Sequence, residues 1–220
     1  MMSSSKAKTT AFASKLPDNV RLALRRYFPT EISAHSAAYY TLPEHLALLR
    51  LRSEAESRML RWSDLAEELN TELDDLAIRV SECTAFNNAY EMEILLHENV
   101  QFPDEREELF SLIKAPVVRT AYLAASFLVP YWIIYFRTWR RSRSGVITMQ
   151  NVPQEGRHST RVANAAAKCL QKYSWKRISS NLAQTKIPGL DTHSLDAGDV
   201  RVADVVFGVF KSATPFPTSL

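Results

Sequence analysis

Apolar residues recur mainly at helical spacing through the first half of the chain. Between positions 65 and 80 they are three or four residues apart, which places them on one face of a helix: Leu65, Leu69, Leu73, Leu76 and Val80. The capping-box pattern TLPE at 41–44 predicts an earlier helix that ends near residue 61. We expect a further helix over 84–98, and another after Pro103, where acidic residues suit the positive end of a helix dipole.

The hydrophobic maximum of the chain lies between Arg119 and Arg137, where 17 consecutive residues carry no charge. As a helix this stretch would span about 26 Å, and the apolar residues before Arg119 extend it to the ~30 Å of a bilayer core. Aromatic residues, which prefer the headgroup level, crowd its C-terminal end. We therefore predict one transmembrane helix within residues 115–143. The alternatives are a buried helix of a helical domain and a re-entrant or surface-lying segment.

Three groups of residues are expected to serve this helix. The arginines that follow the apolar stretch would hold anionic lipid headgroups such as those of cardiolipin: Arg137, Arg140, Arg141 and Arg143. Small residues near its start would form the face on which another helix packs: Ala121, Ala124 and Ala125. Pro130 lacks a backbone donor, so it predicts a kink.

The pattern as a whole indicates an all-α protein, since the chain has only five glycines and tight turns are therefore scarce. We expect an N-terminal basic and polar extension at 1–40 and an acidic helical region at 41–114. The transmembrane helix with its basic flank would occupy 115–143, and a basic, partly helical extension would occupy 144–220. Valines near the C-terminus fit both strand and helix, so that choice stays open from residue 189.

Charge is strongly segregated along the chain. The net charge is +3 over residues 1–56, −9 over 57–114 and +9 over 115–220, which is typical of chains whose parts face different partners. The acidic run at 67–75 fits the solvated face of a helix. In the basic part, two aromatic residues alternate with cations: Lys172, Tyr173, Trp175, Lys176 and Arg177. This arrangement suits nucleic acid, and equally an anionic lipid or an acidic subunit.

Motifs that carry chemistry are absent from the sequence. GxGxxG, GxxxxGK[ST], HExxH, GxSxG and CxxC do not occur. Cys83 and Cys169 are far apart, so neither a disulfide framework nor a zinc site is indicated. The histidines are scattered without ligand spacing: His35, His45, His97, His158 and His193. We expect no catalytic residue, no metal site and no cofactor, and we predict that the protein is not an enzyme.

The N-terminus is rich in Ser, Thr, Ala and Lys, with no acidic residue before Asp18, which is typical of an organelle address or of a solvated tail. Together with the membrane helix this predicts a single-pass protein of the mitochondrial inner membrane, in either orientation. Its general build resembles that of supernumerary subunits of respiratory complexes. The leading hypothesis is a non-catalytic accessory subunit of the respiratory chain, the electron-transport system, which supports assembly and stability through helix packing and lipid contacts.

Two alternative functions remain open. A peripheral membrane subunit of the mitochondrial ATP synthase would share the same features. A mitochondrial RNA-associated or ribosome-associated protein would instead use the basic segment 137–190, which has eleven basic side chains and one acidic side chain, on phosphates. The expected partners are other subunits of a membrane complex and anionic phospholipid, with nucleic acid less favoured.

Overall fold

The computed structural model is an α/β structure in which a central β-sheet carries helices on both faces. The structure describes residues 16–29, 32–81, 87–103, 105–192, 195 and 199–208. The N-terminal segment considered as an organelle address, together with Cys83 and His193, lies outside the described residues.

Seven α-helices and one 3₁₀-helix flank the sheet within the described part of the chain. The α-helices are α1 (Asp18–Tyr27), α2 (Pro43–Ser57), α3 (Met59–Glu72), α4 (Arg106–Ile113), α5 (Arg157–Lys172), α6 (Ser180–Gln184) and α7 (Val202–Phe207), and the 3₁₀-helix is Ala37–Thr41. The long helices α3 and α5 are amphipathic, and they contact one another.

The strands follow one another in the sheet in the order in which they occur in the chain. They are β1 (Leu76–Ser81), β2 (Ala89–Glu98), β3 (Val117–Ser126), β4 (Tyr131–Arg141), β5 (Ile147–Val152) and β6 (Lys176–Arg177). Each of β2 to β5 is antiparallel to the strand before it. The two-residue β6 pairs in parallel with the beginning of β4, from which it is distant in sequence.

The all-α prediction is wrong, and so is the transmembrane helix within residues 115–143. The apolar stretch forms β3 and β4, which pair antiparallel with Tyr122 opposite Tyr135. A strand covered by helices on both faces buries every side chain, so it shows no apolar–polar alternation and looks like a membrane helix in sequence. No helix in the described ranges has the length and apolar character needed to cross a bilayer. The predicted single-pass inner-membrane location is overturned by these findings.

Two other predicted helices are strands in part or in full. The apolar residues from 65 to 80 do not form one helix. Helix α3 ends at Glu72, and Leu76 and Val80, the last two residues of the stripe, belong to β1. The helix expected over 84–98 is replaced by β2 at Ala89–Glu98. The helix after Pro103 is confirmed as α4. Near the C-terminus, where the sequence was compatible with both strand and helix, Val202–Phe207 forms the short helix α7.

One face of the sheet, which we call the α3/α5 face, holds a large apolar cluster. Leu65, Leu69 and Leu73, all from the predicted stripe, are at most 1% exposed there. Helix α5 contributes a matching row: Val162, Ala166, Cys169 and Leu170. The strands contribute the alternate residues that point toward these helices, among them Met92, Ile94, Leu123 and Ile134.

The opposite face, which we call the α1/α7 face, carries two separate apolar clusters. The first lies beneath α1 and α7 and includes Val20, Ala23, Ala124, Ile133, Val205 and Phe207. The second lies beneath α4 and includes Leu95, Leu109, Phe110 and Val118. Polar side chains of β1 to β4 separate the two clusters.

Candidate functional site

A groove of about 350 Å³ opens at the end of the sheet where β2 and β4 begin and β3 ends. Its walls come from the junction of α2 and α3, from β2, from the turn between β3 and β4, and from the turn after α5. The side chains that define its character are Arg58, Arg61, Trp62, Tyr90, Phe127 and Trp175. We call it the aromatic groove.

Four aromatic rings form the floor and the wall of the aromatic groove. The rings of Trp62 and Tyr90 stack with their centroids 5.7 Å apart and their planes at 25°. Trp175 stands edge-on to Trp62 at 6.2 Å, and Phe127 packs against Tyr90 at 5.7 Å. Trp62 and Tyr90 are buried, whereas Phe127 and Trp175 are half-buried. A flat ligand would therefore meet the exposed parts of Phe127 and Trp175 above a rigid aromatic floor.

The polar ends of these rings are occupied within the protein. Trp62 and Trp175 donate their indole N–H, and Tyr90 its hydroxyl proton, to backbone carbonyl oxygens at 3.0 or 3.1 Å. The acceptors belong, in the same order, to Glu91, Ser126 and Ala55. A buried donor without an acceptor costs about 1–3 kcal/mol, so these bonds hold the rings in place. The groove offers a ligand ring surfaces rather than ring hydrogen-bond donors.

Basic side chains surround the opening of the aromatic groove. Arg58 and Arg61 are exposed at the α2–α3 junction. Burial raises the pKa of the Tyr90 hydroxyl, and the nearby charges of these two arginines act in the opposite direction. Lys176, next to Trp175, is also exposed. A ligand that combines a flat ring with a negative charge matches both the lining and the rim.

Of the aromatic and basic residues predicted to contact nucleic acid, Trp175 lines this groove, and the other four are its neighbours in the sequence. The rings of Tyr173 and Trp175 are 6.2 Å apart, and Tyr173 is 44% exposed. The guanidinium of Arg177 lies 5.5 Å from the centre of a tryptophan ring on β4, and Lys172 forms an ion pair with a glutamate of α3. Two of the five residues therefore provide rings, and Lys176 provides an exposed charge beside them.

The residues on the opposite side of the groove were not identified as site residues from the sequence. Arg58, Arg61 and Trp62 lie in a stretch whose visible pattern was helical, and Tyr90 and Phe127 lie in segments predicted as helices. Strand pairing places the start of β2 beside the end of β3 and so creates this wall. The two arginines that precede one tryptophan in RMLRW were the one local signal available.

A second group of polar side chains lies between the two apolar clusters of the α1/α7 face. We call it the Glu91 cluster, and it consists of Arg79, Glu91, Glu93, Tyr122, Tyr135 and Arg137. Glu91 accepts a hydrogen bond from the Tyr122 hydroxyl, and Arg79 Nη2 lies 3.1 Å from Glu93 Oε2. The Arg137 guanidinium lies 4.4 Å from the centre of the Tyr122 ring. Both carboxylates are only 5% exposed.

Burial is the largest cause of the raised pKa values of Glu91 and Tyr122. It raises the pKa of Glu91, although the hydrogen bond from Tyr122 and the charge of Arg137 oppose the rise. It also raises the pKa of the Tyr122 hydroxyl, and the neighbouring Glu91 acts in the same direction. Each of the two carboxylates has a donor within the cluster, which is typical of a satisfied network that specifies a core.

The four arginines predicted to hold lipid headgroups lie in two places. Arg137 belongs to the Glu91 cluster on the α1/α7 face. Arg140, Arg141 and Arg143 are exposed at the end of β4 and in the following turn. The transmembrane helix that would have aligned all four does not form, and the proposed lipid contact of the three exposed arginines stays a prediction.

The residues predicted for helix packing and kinking occupy strand and turn positions. Ala121 and Ala125 face the α3/α5 cluster, whereas Ala124 faces the opposite cluster, because side chains alternate along a strand. They therefore do not share one packing face. Pro130 lies in the turn before β4, where it lines the aromatic groove and bends no helix.

The acidic run after residue 67 lies partly against α5 and is not simply a solvated face. Its carboxylates pair with basic residues of that helix in what we call the ionic seam: Lys172 with Glu68, Lys168 with Glu72, and Arg161 with Asp74 and Asp75. Part of the charge segregation along the chain is thus balanced inside the molecule rather than by separate partners.

Comparison with protein-family models, with curated proteins and with solved structures found no match to this chain. The function is therefore argued from the geometry and chemistry of the site residues.

Proposed function

We propose that the protein binds single-stranded nucleic acid through the aromatic groove. The observation that carries this proposal is the combination of half-buried ring surfaces, from Phe127 and Trp175, with the exposed arginines Arg58 and Arg61 on one groove of about 350 Å³. Bases stack on aromatic rings, and phosphates require cations at the rim of the same site.

The state of the ring donors supports binding with little base preference. Because the indole and hydroxyl groups of the groove already donate to backbone carbonyls, they are not free to read base edges. Stacking is tolerant of sequence, since every base has a flat face. A duplex should bind more weakly, because its bases are stacked on one another and cannot enter the groove.

This proposal takes up the RNA-binding alternative rather than the two membrane-complex hypotheses. Both of those hypotheses began from a transmembrane helix at 115–143, and that segment forms β3 and β4. The nucleic-acid hypothesis began from Tyr173 and Trp175, whose rings lie beside one another, and Trp175 lines the groove. We propose binding without catalysis as the role of this site.

The test is fluorescence anisotropy with a labelled 12-nucleotide single-stranded RNA and the full chain. Stacking contributes about 1–3 kcal/mol per base, so Trp175→Ala should weaken binding roughly 5-fold to 160-fold, and Trp175→Phe should restore much of it. Tyr40→Ala, which removes an exposed ring outside the groove, is the matched control and should bind like the wild type. Circular dichroism checks that each variant is folded.

A second pair of variants separates site-specific charge from general attraction. Changing Arg58 and Arg61 to glutamine should make the negative slope of log K against log salt shallower by about 1.4, because each phosphate contact on a single strand contributes about −0.7. The control changes the exposed Arg25 and Arg26 of α1 in the same way. Equal losses in both double variants, or no binding by the wild type, would contradict the proposal.

A further inference from the structure

Three potential metal ligands from distant parts of the chain meet beside the ionic seam. Asp75 lies in the turn between α3 and β1, Glu98 ends β2, and His158 lies in the first turn of α5. One ligand atom from each lies within 4.8 Å of the other two. His158 Nε2 and Glu98 Oε1 are 3.5 Å apart, close to the roughly 3.4 Å between two ligands of a tetrahedral zinc ion with bonds of about 2.1 Å.

The backbone holds these side chains in position. Leu76, the residue after Asp75, pairs with Glu98 across β1 and β2. The amide of Asn99 donates to the carbonyl oxygen of Asp75 at 2.8 Å, which ties the turn to the end of β2. The first turn of α5 is joined to the same turn by Arg161, which donates to the Asp75 carboxylate. Tertiary structure therefore fixes the backbone positions from which the three ligands extend.

A separate observation concerns the imidazole of His158. Its Nδ1 atom is buried and has no hydrogen-bond partner among the described residues. Its Nε2 atom has Glu98 at 3.5 Å, which is longer than a normal hydrogen bond to a carboxylate. Nε2, the nitrogen that faces Glu98, therefore has no carboxylate oxygen of Glu98 at normal hydrogen-bond distance, and a metal ion bound to Nε2 would supply a close partner there.

We propose that Asp75, Glu98 and His158 form a binding site for one divalent transition-metal ion, with Zn²⁺ as the best match. One imidazole nitrogen and two carboxylate oxygens make a donor set that zinc accepts, and water would complete the coordination. Glu98 and His158 are 54% and 36% exposed, so an ion can reach them from solvent. The site is separate from the aromatic groove and does not depend on the nucleic-acid proposal.

Both negatively and positively charged side chains lie at the proposed metal site. The carboxylates of Glu98 and Asp75 attract a cation, whereas the guanidinium of Arg161 forms an ion pair with the carboxylate of Asp75. Arg161 also orients this carboxylate, as outer groups do for metal ligands. Its positive charge repels the ion and limits the affinity.

A bound ion would tie the start of α5 to the end of β2 and to the turn before β1. Binding to the folded state alone stabilises a protein by mass action. Zinc should therefore raise the melting temperature of the wild type, and it should not raise that of His158→Ala. Mg²⁺ and Ca²⁺ should have little effect, because these ions prefer oxygen ligands to imidazole nitrogen.

The experiment is isothermal titration of ZnCl₂ into the untagged full chain in metal-free buffer. We expect one equivalent to bind to the wild type, and His158→Ala and Glu98→Gln each to weaken binding at least tenfold. His35→Ala, which removes another exposed histidine, is the control and should bind zinc like the wild type. Glu98→Gln keeps the size of an exposed side chain, so it tests the site even if the histidine variant loses stability.

Two results would overturn the metal site. The first is the absence of stoichiometric zinc binding by the wild type. The second is unchanged binding by both ligand variants, which would place the zinc on other residues. Neither result bears on the aromatic groove, because RNA binding is measured without added metal and with different variants.

Discussion

At the scale of single residues, burial of polar groups determines what each face of the sheet can do. In the aromatic groove, Trp62, Tyr90 and Trp175 donate to backbone carbonyls, and the half-buried rings of Phe127 and Trp175 leave part of their surface toward solvent. On the other face, Glu91 is 5% exposed and hydrogen-bonded to Tyr122. The first arrangement favours a ligand, and the second favours a fixed core.

The raised pKa of Glu91 leads to a prediction about pH. Burial, its largest cause, raises this pKa above the ordinary value of about 4.3 that applies in the unfolded chain. The folded state therefore holds the proton more tightly, and the contribution of Glu91 to stability falls as pH rises through the interval between the two values. Above the folded-state pKa the contribution is constant.

Glu91→Gln should remove this component of the pH dependence. We expect the free energy of unfolding of the wild type, minus that of the variant, to decrease as pH rises from about 4 and then to level off. Urea unfolding at pH values from about 4 to about 8 measures the free energy of unfolding of the wild type and of the variant. A difference that increases with pH would mean that the Glu91 pKa is lowered in the folded state.

At the scale of secondary-structure elements, helices α3 and α5 join the two candidate sites. Both helices pack an apolar row on the same face of the sheet, and the ionic seam links them along the outside. Exposed ion pairs of this kind contribute little, about 0–1 kcal/mol each, so the apolar row supplies most of the attachment. The metal ligands lie where α5 begins, and the aromatic groove lies where it ends.

The apolar row of α3 can be tested by truncation of one leucine. Leu69 is fully buried, so Leu69→Ala should lower the free energy of unfolding by about 2–5 kcal/mol through lost burial and a residual cavity. Leu22 on α1 is 62% exposed, and Leu22→Ala should change the free energy by no more than about 0.5 kcal/mol. Urea unfolding of both variants checks this, and similar effects in the two would argue against the packing of α3 on the sheet.

At the scale of the whole molecule, the sheet with its two covered faces explains the hydrophobicity of the middle of the chain. Strands β3 and β4 lie inside the sheet and carry residues such as Leu123 and Ile134 toward one cluster and Ala124 and Ile133 toward the other. Acidic residues from 57–114 and basic residues from 115–220 pair at the ionic seam. Burial between helices and charge pairing within the molecule thus account for the apolar run and for part of the charge segregation.

Hydrogen exchange tests this architecture directly. Strand β3 pairs along both edges, so its amides should exchange among the slowest in the protein. Strand β5 pairs only with β4 within the described residues, so its amides should exchange faster. Mass spectrometry of peptides that cover 117–126 and 147–152 measures both. Exchange of β3 as fast as that of β5 would contradict the central position of β3.

Part of the aromatic groove was predictable, and the rest was not. Tyr173, Trp175 and Lys176 could be recognised because aromatic and basic residues alternate over a short distance in sequence. Trp62 and Tyr90 could not, because their proximity depends on the packing of α3 against a sheet that the helical interpretation did not contain. The three metal ligands could not be recognised either, because they come from different parts of the chain and only the fold brings them together.

The amphipathic faces of α3 and α5, and the basic, aromatic character of the segment that follows α5, could be recognised from the amino-acid order alone. These are local properties, and helical spacing or neighbouring residues are sufficient to express them. Three features emerged only from the fold: residues 117–126 and 131–141 are strands, acidic and basic segments pair with one another, and two candidate sites form at opposite ends of α5. An apolar run is compatible with a membrane helix and with two strands buried on both faces, and only pairing with distant strands and helices distinguishes them.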